Sequence, residues 1–289
     1  MPELPEVETI ARQLAPELTN AVLSRVLVSR DDIIHGDPRP LPGLLRGRRV
    51  DRVHRRAKRI VMDLSGGAQL VFHLGMTGTL TMTRVRAAVD NHTHLRIRIR
   101  GTDRELRFRD PRRFGGVWCL TDQPKYVGQK LGPLGPEPLE LRIKQFKAIL
   151  RRSRPIKPLL LDQTVVAGLG NIYSDESLHA AGVHPLTRAD SLDGDAASRL
   201  LRCIKSTLRR AIRFSGTTMM DYRTPSGAKG SFRRFLRVYG REGEPCRRCR
   251  ASIERIVVAG RSSFFCPQCQ RRTRERGKVR RCEREKMRT

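Results

Sequence analysis

Two Cys-x2-Cys pairs, Cys246/Cys249 and Cys266/Cys269, stand sixteen residues apart near the end of this sequence. Thiolates at that spacing can surround one tetrahedral zinc ion, and a chain tethered at four points has few folds open to it. The apolar stretches between the pairs suit a β-hairpin, so a hairpin finger holding one structural Zn2+ is expected. Four protein ligands leave no open coordination position, which keeps this metal out of any catalytic step. Arg261 falls near the expected hairpin tip. Cys119, Cys203 and Cys282 have no such spacing.

Charge points to the partner. There are 59 Lys+Arg against 29 Asp+Glu, a formal net charge of +30. A polyanion, most simply nucleic acid, is the expected ligand. Gln270–Thr289 carries ten basic and three acidic residues. It therefore accounts for only +7, and it is expected to be largely disordered and to add salt-sensitive attraction. No run of eighteen apolar residues exists, and acids rather than a basic segment open the chain. The expected compartment is the cytoplasm, with no membrane partner. In that compartment cysteines are ligands or core residues rather than disulfides. At 289 residues, two domains with their own cores are expected.

The N-terminal stretch Met1-Pro-Glu-Leu-Pro-Glu6 carries the candidate chemistry. Removal of Met1 leaves Pro2 as a free secondary amine, a nucleophile able to form a covalent iminium. Its reference pKa is about 7.7–8.0. Val7, Ile10, Ala11, Leu14 and Leu18 recur at helical spacing, with Pro16 expected to end or kink the helix. The positive end of that helix disfavours protonation of the amine. Glu3 and Glu6 lie in the first turn. Read alone, the stretch is equally an ordinary helix start with proline and acids at its head.

Short strands follow: Ala21–Ser29, Val50–His54, Arg59–Leu64, Gln69–Leu74, His94–Arg100, Glu105–Phe108 and Gly116–Leu120. In His94–Arg100, Leu95, Ile97 and Ile99 alternate with Arg96, Arg98 and Arg100, which reads as a half-buried strand with a basic outer face. Many short strands with Gly/Pro turns suggest a sandwich or barrel. The intervening turns hold Arg55–Arg59 with Lys58, His73–Gly78 with Met76, Asn91–His94 with His92, and Asp110–Gly115. The last places Arg112 and Arg113 beside Phe114, a combination able to contact phosphates and enter a base stack. The plain alternatives are a solvated basic turn for Arg55–Arg59, a core or surface histidine and core packing for His73 and Met76, and a salt-bridged hairpin turn for Asp110–Gly115. Asn91–His94 could also be read as a metal pair, without an acidic or thiol partner nearby in sequence.

Thr121–Gly135 reads as a linker. Helices are expected at Leu141–Arg151, Lys157–Asp162, Asn171–Ala181 with Asn171 as an N-cap type, and Asp195–Phe214. The Val165–Gly170 turn before Asn171 could present N–H groups to a phosphate. Gly216–Phe232 reads as a long loop of the kind that closes over sites.

Taken together, Pro2-Glu-Leu-Pro-Glu6, Arg56-Ala-Lys58, His73-Leu-Gly-Met76, Asp110-Pro-Arg-Arg-Phe-Gly115, Gly168-Leu-Gly-Asn-Ile-Tyr173 and the four cysteines resemble bacterial formamidopyrimidine-DNA glycosylase, from Met1 to about Gln270. The resemblance implies an α+β fold. It has an N-terminal β-sandwich catalytic domain (1–120) with flanking helices and a linker (121–135). A helical helix-two-turn-helix DNA-binding domain (136–240), a four-cysteine zinc finger (241–270) and a disordered basic tail (271–289) follow. It implies a monomer that acts on double-stranded DNA containing an oxidised base, without a nucleotide cofactor. Excision passes through a Pro2 Schiff base, followed by β,δ-elimination. Glu3 is implied as the proton donor to the sugar, Lys58 and Arg261 as aids to the two eliminations, and Glu6 as a shaping group. Met76, Arg112 and Phe114 are implied to fill the gap left by the flipped base. His73, His92, Lys157, Asn171 and Tyr239 are implied to face phosphates, and Gly216-Thr217-Thr218 to cap the base through backbone N–H groups. The chain departs from the pattern at Ser153, where relatives carry a basic residue; Arg152 or Arg154 stands beside it as a substitute. Thr77, Asn91, Thr93 and the longer tail are further departures. Two other readings are an endonuclease VIII-like enzyme for oxidised pyrimidines and a DNA-binding relative without chemistry.

Overall fold

The computed structural model describes residues 2–36, 39–121, 132–220 and 222–271. Cys282, most of the expected linker and the basic tail lie outside the described residues.

Helix α1 (Leu4–Leu18) buries Val7, Ile10, Ala11, Leu14 and Leu18, the stripe read from the sequence. It runs two residues past Pro16, so the proline sits in the last turn instead of ending the helix. Two sheets follow. One has the order β1-β7-β8-β6, from Leu23–Val28, Thr93–Ile99, Arg104–Arg109 and Thr79–Arg84. The other has the order β2-β9-β5-β4-β3, from Ile34–Gly36, Gly116–Leu120, Gln69–His73, Arg59–Leu64 and Val50–Arg56. All pairings are antiparallel except β2 with β9. Inward residues of both sheets and α1 form one core, in which Phe72 and Phe108 meet across the sandwich at 5.9 Å. Burying one face of each sheet is what makes the alternation legible.

Two strands escaped the sequence reading. β6 reads Thr-Leu-Thr-Met-Thr-Arg and alternates well, but threonine hides a strand among polar residues. β2 is only three residues long. The expected half-buried β7 is present, with Leu95, Ile97 and Ile99 buried, Arg96 and Arg98 half-buried and Arg100 exposed, but its arginine face also holds an acid. Arg96 makes two hydrogen bonds, at 2.8 and 3.1 Å, to Glu105, which is fully buried and also accepts from Arg107 at 2.7 Å. Arg96 and Arg107 thereby neutralise an internal carboxylate.

The second core gathers α3 (Ile143–Leu150), α4 (Ile156–Leu161), α5 (Asn171–Ala181) and α6 (Gly194–Arg213), after a short α2 (Leu41–Leu45) in the first half. Leu4, at the start of α1, packs into this second core, and its N–H donates to the Gly168 carbonyl at 3.1 Å. The N-terminus is thus bolted to the helical half. β10 (Glu254–Val258) and β11 (Arg261–Phe265) form the finger hairpin. Its two-residue tip, Ala259-Gly260, has φ of 48° and 71°, as a turn matching the twist of paired strands requires. Among the described residues no helix is long and apolar enough to cross a membrane.

Candidate active site

Pro2 directly precedes Glu3, the N-cap of α1, so its nitrogen lies at the positive end of that helix. It lines a cavity of about 170 Å³ with Glu6, Met76, Thr77, Arg112, Thr217 and Tyr222.

Glu3 is almost fully buried, and its carboxylate accepts from Gly170 N–H at 2.8 Å and Ile172 N–H at 2.9 Å, with Tyr173 N–H at 3.4 Å. Those are the free N–H groups at the head of α5. Two expectations change here. The N-cap of α5 is Gly170, not Asn171, and the capping oxygens come from a residue 167 positions away. The N–H groups of Gly170, Ile172 and Tyr173 therefore hold an internal carboxylate. A Cβ on Gly170 would lie 2.3 Å from Glu3 Cδ, so only glycine fits. Burial pushes the Glu3 carboxyl above its ordinary range, opposed by the Lys58 charge and the three N–H groups.

Glu6 accepts from Glu3 N–H at 2.8 Å with one oxygen; with the other it accepts from Thr217 N–H at 2.6 Å and the Tyr173 hydroxyl. Burial, then the neighbouring Glu3 charge, raises its carboxyl to about 7. A Cβ on Gly216, at φ 77°, would lie 2.6 Å from Glu6 Oε1. Replacing Glu6 with Gln should destabilise the protein by about 1–3 kcal/mol, because the amide must turn its NH2 toward the Glu3 or the Thr217 N–H, donor against donor. Thermal unfolding tests this, and an unchanged Tm would refute it.

The N–H of Thr217 is thus already used, and that of Gly216 donates to Ala211 at 2.8 Å. The Thr218 hydroxyl accepts from Gly230 N–H at 2.8 Å and donates to the Tyr222 carbonyl at 3.0 Å. Two of the three N–H groups in the expected capping segment 216–218 are thus engaged inside the protein; Thr217 lines the cavity, and Met219, Met220 and Tyr222 line it beyond.

Lys58 stands in the two-residue turn between β3 and β4, where Ala57 has φ of 54°. The turn is held from the other half of the chain. Glu137 accepts from Ala57 N–H at 2.7 Å, Arg55 at 2.7 Å and Arg56 at 2.8 Å. Burial lowers the Lys58 ammonium pKa; Glu3 opposes this and Arg261 adds to it, so Lys58 shares its surroundings with both. Nothing in the sequence marked Glu137, a single acid in a Pro/Gly-rich stretch.

The rim comes from two turns pressed together. A Cβ on Gly75 would lie 2.4 Å from the Gly115 nitrogen. Asp110, fully buried, accepts from Thr77 Oγ1 at 2.6 Å and Gly115 N–H at 2.7 Å. From this base Met76 and Phe114 project 42% and 57% exposed, with the Arg112 guanidinium 4.5 Å from the Phe114 ring centre. Exposed apolar side chains fixed on a rigid base are poised to enter something. His73 ends β5, and burial with Arg59 and Lys58 lowers its imidazole to about 4, so it is neutral at pH 7.

The expected phosphate-facing groups scatter. His92 is exposed at the start of β7, and its N–H is held by Asp90 at 2.7 Å. Arg152 and Ser153 are exposed in the bend before α4, where the Ser153 hydroxyl accepts from Arg188 at 2.7 Å. Lys157 departs from its expected outward position. Its ammonium is fully buried, 2.7 Å from Asp175, and donates to the Ser262 carbonyl at 3.0 Å. Asn171 Nδ2 donates to the same carbonyl at 2.9 Å, and Asp175 accepts from Phe264 N–H at 3.0 Å. This clamp grips β11 beside Arg261, which is itself exposed at the tip. Tyr239 is half-buried against Phe264, on a segment whose N–H groups at 237–239 are held by buried Glu176. Asp175 and Glu176 were missed because helical acids ordinarily face solvent.

The four cysteine sulfurs lie within 4.8 Å of one another, with Cys246 to Cys269 at 3.9 Å and Cys249 to Cys266 at 3.3 Å. Zn–S bonds of about 2.3 Å in a tetrahedron put sulfurs about 3.8 Å apart, so the set fits zinc.

Three family models match: the formamidopyrimidine-DNA glycosylase N-terminal domain at residues 1–117, the H2TH domain of the same enzymes at 134–223, and a zinc finger found in FPG and IleRS at 243–272. The formamidopyrimidine-DNA glycosylase of Herpetosiphon aurantiacus is 43% identical over 275 residues, covering 93% of this chain and all of that one. The Ruegeria pomeroyi enzyme of the same name is 42% identical over 284 residues, covering 94% and 100%. Among solved structures, MutM (Fpg) from Thermus thermophilus superposes with a TM-score of 0.83 at 40% identity, covering 94% and 100%. Lactococcus lactis Fpg in complex with abasic-site DNA gives 0.84 at 33% identity, covering 93% and 100%.

Proposed function

The chain belongs to the formamidopyrimidine-DNA glycosylase family, and on that premise we propose that it excises oxidised purines from duplex DNA and then cleaves the abasic strand. The observation that carries this reading is the wall of Pro2 in a small cavity rimmed by Met76 and Arg112. A glycosidic bond cannot be attacked inside the stack, so the nucleotide is flipped out, and Met76, Arg112 and Phe114 fill the gap. The Pro2 nitrogen forms a bond to C1′ while the bond to the base breaks, and the iminium forms when the C1′–O4′ bond then opens. The raised Glu3 carboxyl supplies a proton to the sugar ring oxygen as the ring opens. Burial makes Lys58 easier to deprotonate, which suits it to take up the C2′ proton in the first elimination; Arg261 serves the second. Met219, Met220 and Tyr222 line the base pocket. The protein works as a monomer in the bacterial cytoplasm, with one structural zinc. Borohydride trapping on a duplex with 8-oxoguanine should give a covalent adduct that maps to Pro2. An adduct that maps to a residue other than the N-terminal one, or adducts only on oxidised pyrimidines, would overturn the assignment.

The Lys157–Asp175 clamp yields a separate expectation. Asp175→Asn leaves a buried ammonium without its counter-charge, which costs about 3–5 kcal/mol. Because the clamp holds the strand of Arg261, the second elimination should slow more than base excision. Product gels would show β-elimination ends accumulating; an unchanged product ratio would separate the clamp from Arg261.

A further inference from the structure

A second cavity, of about 370 Å³, lies apart from these groups. Its walls are Arg210 of α6, Phe235 and Arg237 of the turn that follows, Arg247 and Arg248 between Cys246 and Cys249, and His179 of α5. None of them lines the Pro2 cavity. The same elements build both places, at opposite ends. Glu3 grips the head of α5 while His179 stands in its last turn. Eight residues of helix separate these by about 12 Å. In the finger, the five residues of β11 hold Arg261 about 17 Å from the cysteine end.

Four guanidinium groups from three elements face this one space. Two other arginines of this region have acidic partners: Arg241 has Glu244 at 2.7 Å and Arg255 has Glu242 at 3.5 Å. None of the four has an ion-pair partner among the described residues. Glu176 feels the Arg237 charge, but its oxygens are taken by backbone N–H groups. Like charges about 7 Å apart repel by roughly 0.6 kcal/mol per pair even in bulk water, and a bound anion reverses that sign. Two of the walls are held in place. Arg210 lies 4.2 Å from the Phe235 ring centre, and Arg247 donates to the Arg234 carbonyl at 3.0 Å. A guanidinium stacked on a ring keeps its N–H edge free, and that edge matches the oxygens of phosphate.

We propose that this cavity is a second phosphate-binding site, separate from the lesion cleft. The shared chemistry is a phosphate group, carried by a free phosphorylated solute or by the backbone of a second DNA segment. The proposal is independent of the Pro2 chemistry. The test uses the full zinc-loaded protein, first saturated with a short duplex carrying a non-cleavable abasic analogue that fills the cleft. Inorganic pyrophosphate is then titrated by calorimetry, and a labelled undamaged duplex by anisotropy. At least one probe should bind the preloaded complex, and Arg210→Gln with Arg248→Gln should weaken it tenfold or more while 8-oxoguanine excision stays unchanged. Pyrophosphate binding alone identifies a soluble ligand; duplex binding alone identifies a second strand contact. Failure of both probes, or equal binding by the double variant, overturns the site. If loss of the Arg210 stack disturbs folding, Arg248→Gln alone decides. Its side chain makes no hydrogen bond among the described residues, so at least a threefold loss at full zinc content is required.

Discussion

A form of the protein that keeps an uncleaved leader before Pro2 should lose base excision by a factor on the order of 10⁴–10⁶, the scale on which enzymes fall when their nucleophile is removed. The reason is chemical: an acylated proline nitrogen has no lone pair to offer C1′. The fold should persist, because Leu4, Glu3 and Glu6 hold α1 through groups that a leader does not touch. Lesion binding should therefore fall far less than turnover. Single-turnover rates on an 8-oxoguanine duplex, together with the intact mass of the protein, make the measurement. A leader-bearing protein, confirmed by mass, that excises at the normal rate would end the Schiff-base mechanism for this chain.

Stripping the metal should also be severe, through binding instead of chemistry. The buried apolar cluster of the finger contains only Val238, Cys246, Ile253 and Cys266. So small a core cannot order thirty residues, whereas zinc in such sites contributes about 10–16 kcal/mol. Cys246→Ser or chelation should unfold the hairpin, release Arg261 from the Lys157–Asp175 clamp and lower affinity for lesion DNA by about 100-fold or more, equivalent to about 2.7 kcal/mol. The two cores that hold Pro2 do not include the finger, so the amine should still react slowly with abasic DNA. Metal-free protein that binds lesion DNA normally would contradict a structural role for the cysteines.

Periodicity and spacing carried much of the architecture. The stripe on α1, the alternation in β7, the long amphipathic α6 and the two cysteine pairs depend on residues close in sequence, and local geometry turns such patterns directly into faces. Strands of three residues and strands rich in threonine lacked that signal. The motifs at Pro2 and Met76 meet in one cavity, and they were readable because turns rich in Gly, Pro and Arg stand out locally.

What the chain order could not supply was which buried charge meets which donor. Glu3 caps α5 across 167 positions, Glu137 fixes the Lys58 turn from the other half, and Lys157 turns inward to Asp175 and Ser262. A carboxylate in a helix or a lysine before a proline looks solvated in sequence. Only when two cores close around it does desolvation demand a partner, and the partner is whatever the packing brings within 3 Å. Sequence alone determined most of the elements and the zinc ligands, and it pointed to Pro2 as the candidate nucleophile. Tertiary structure decided the capping, the clamps and the shifted protonation, because these are energies of burial, and burial does not exist before the chain has folded.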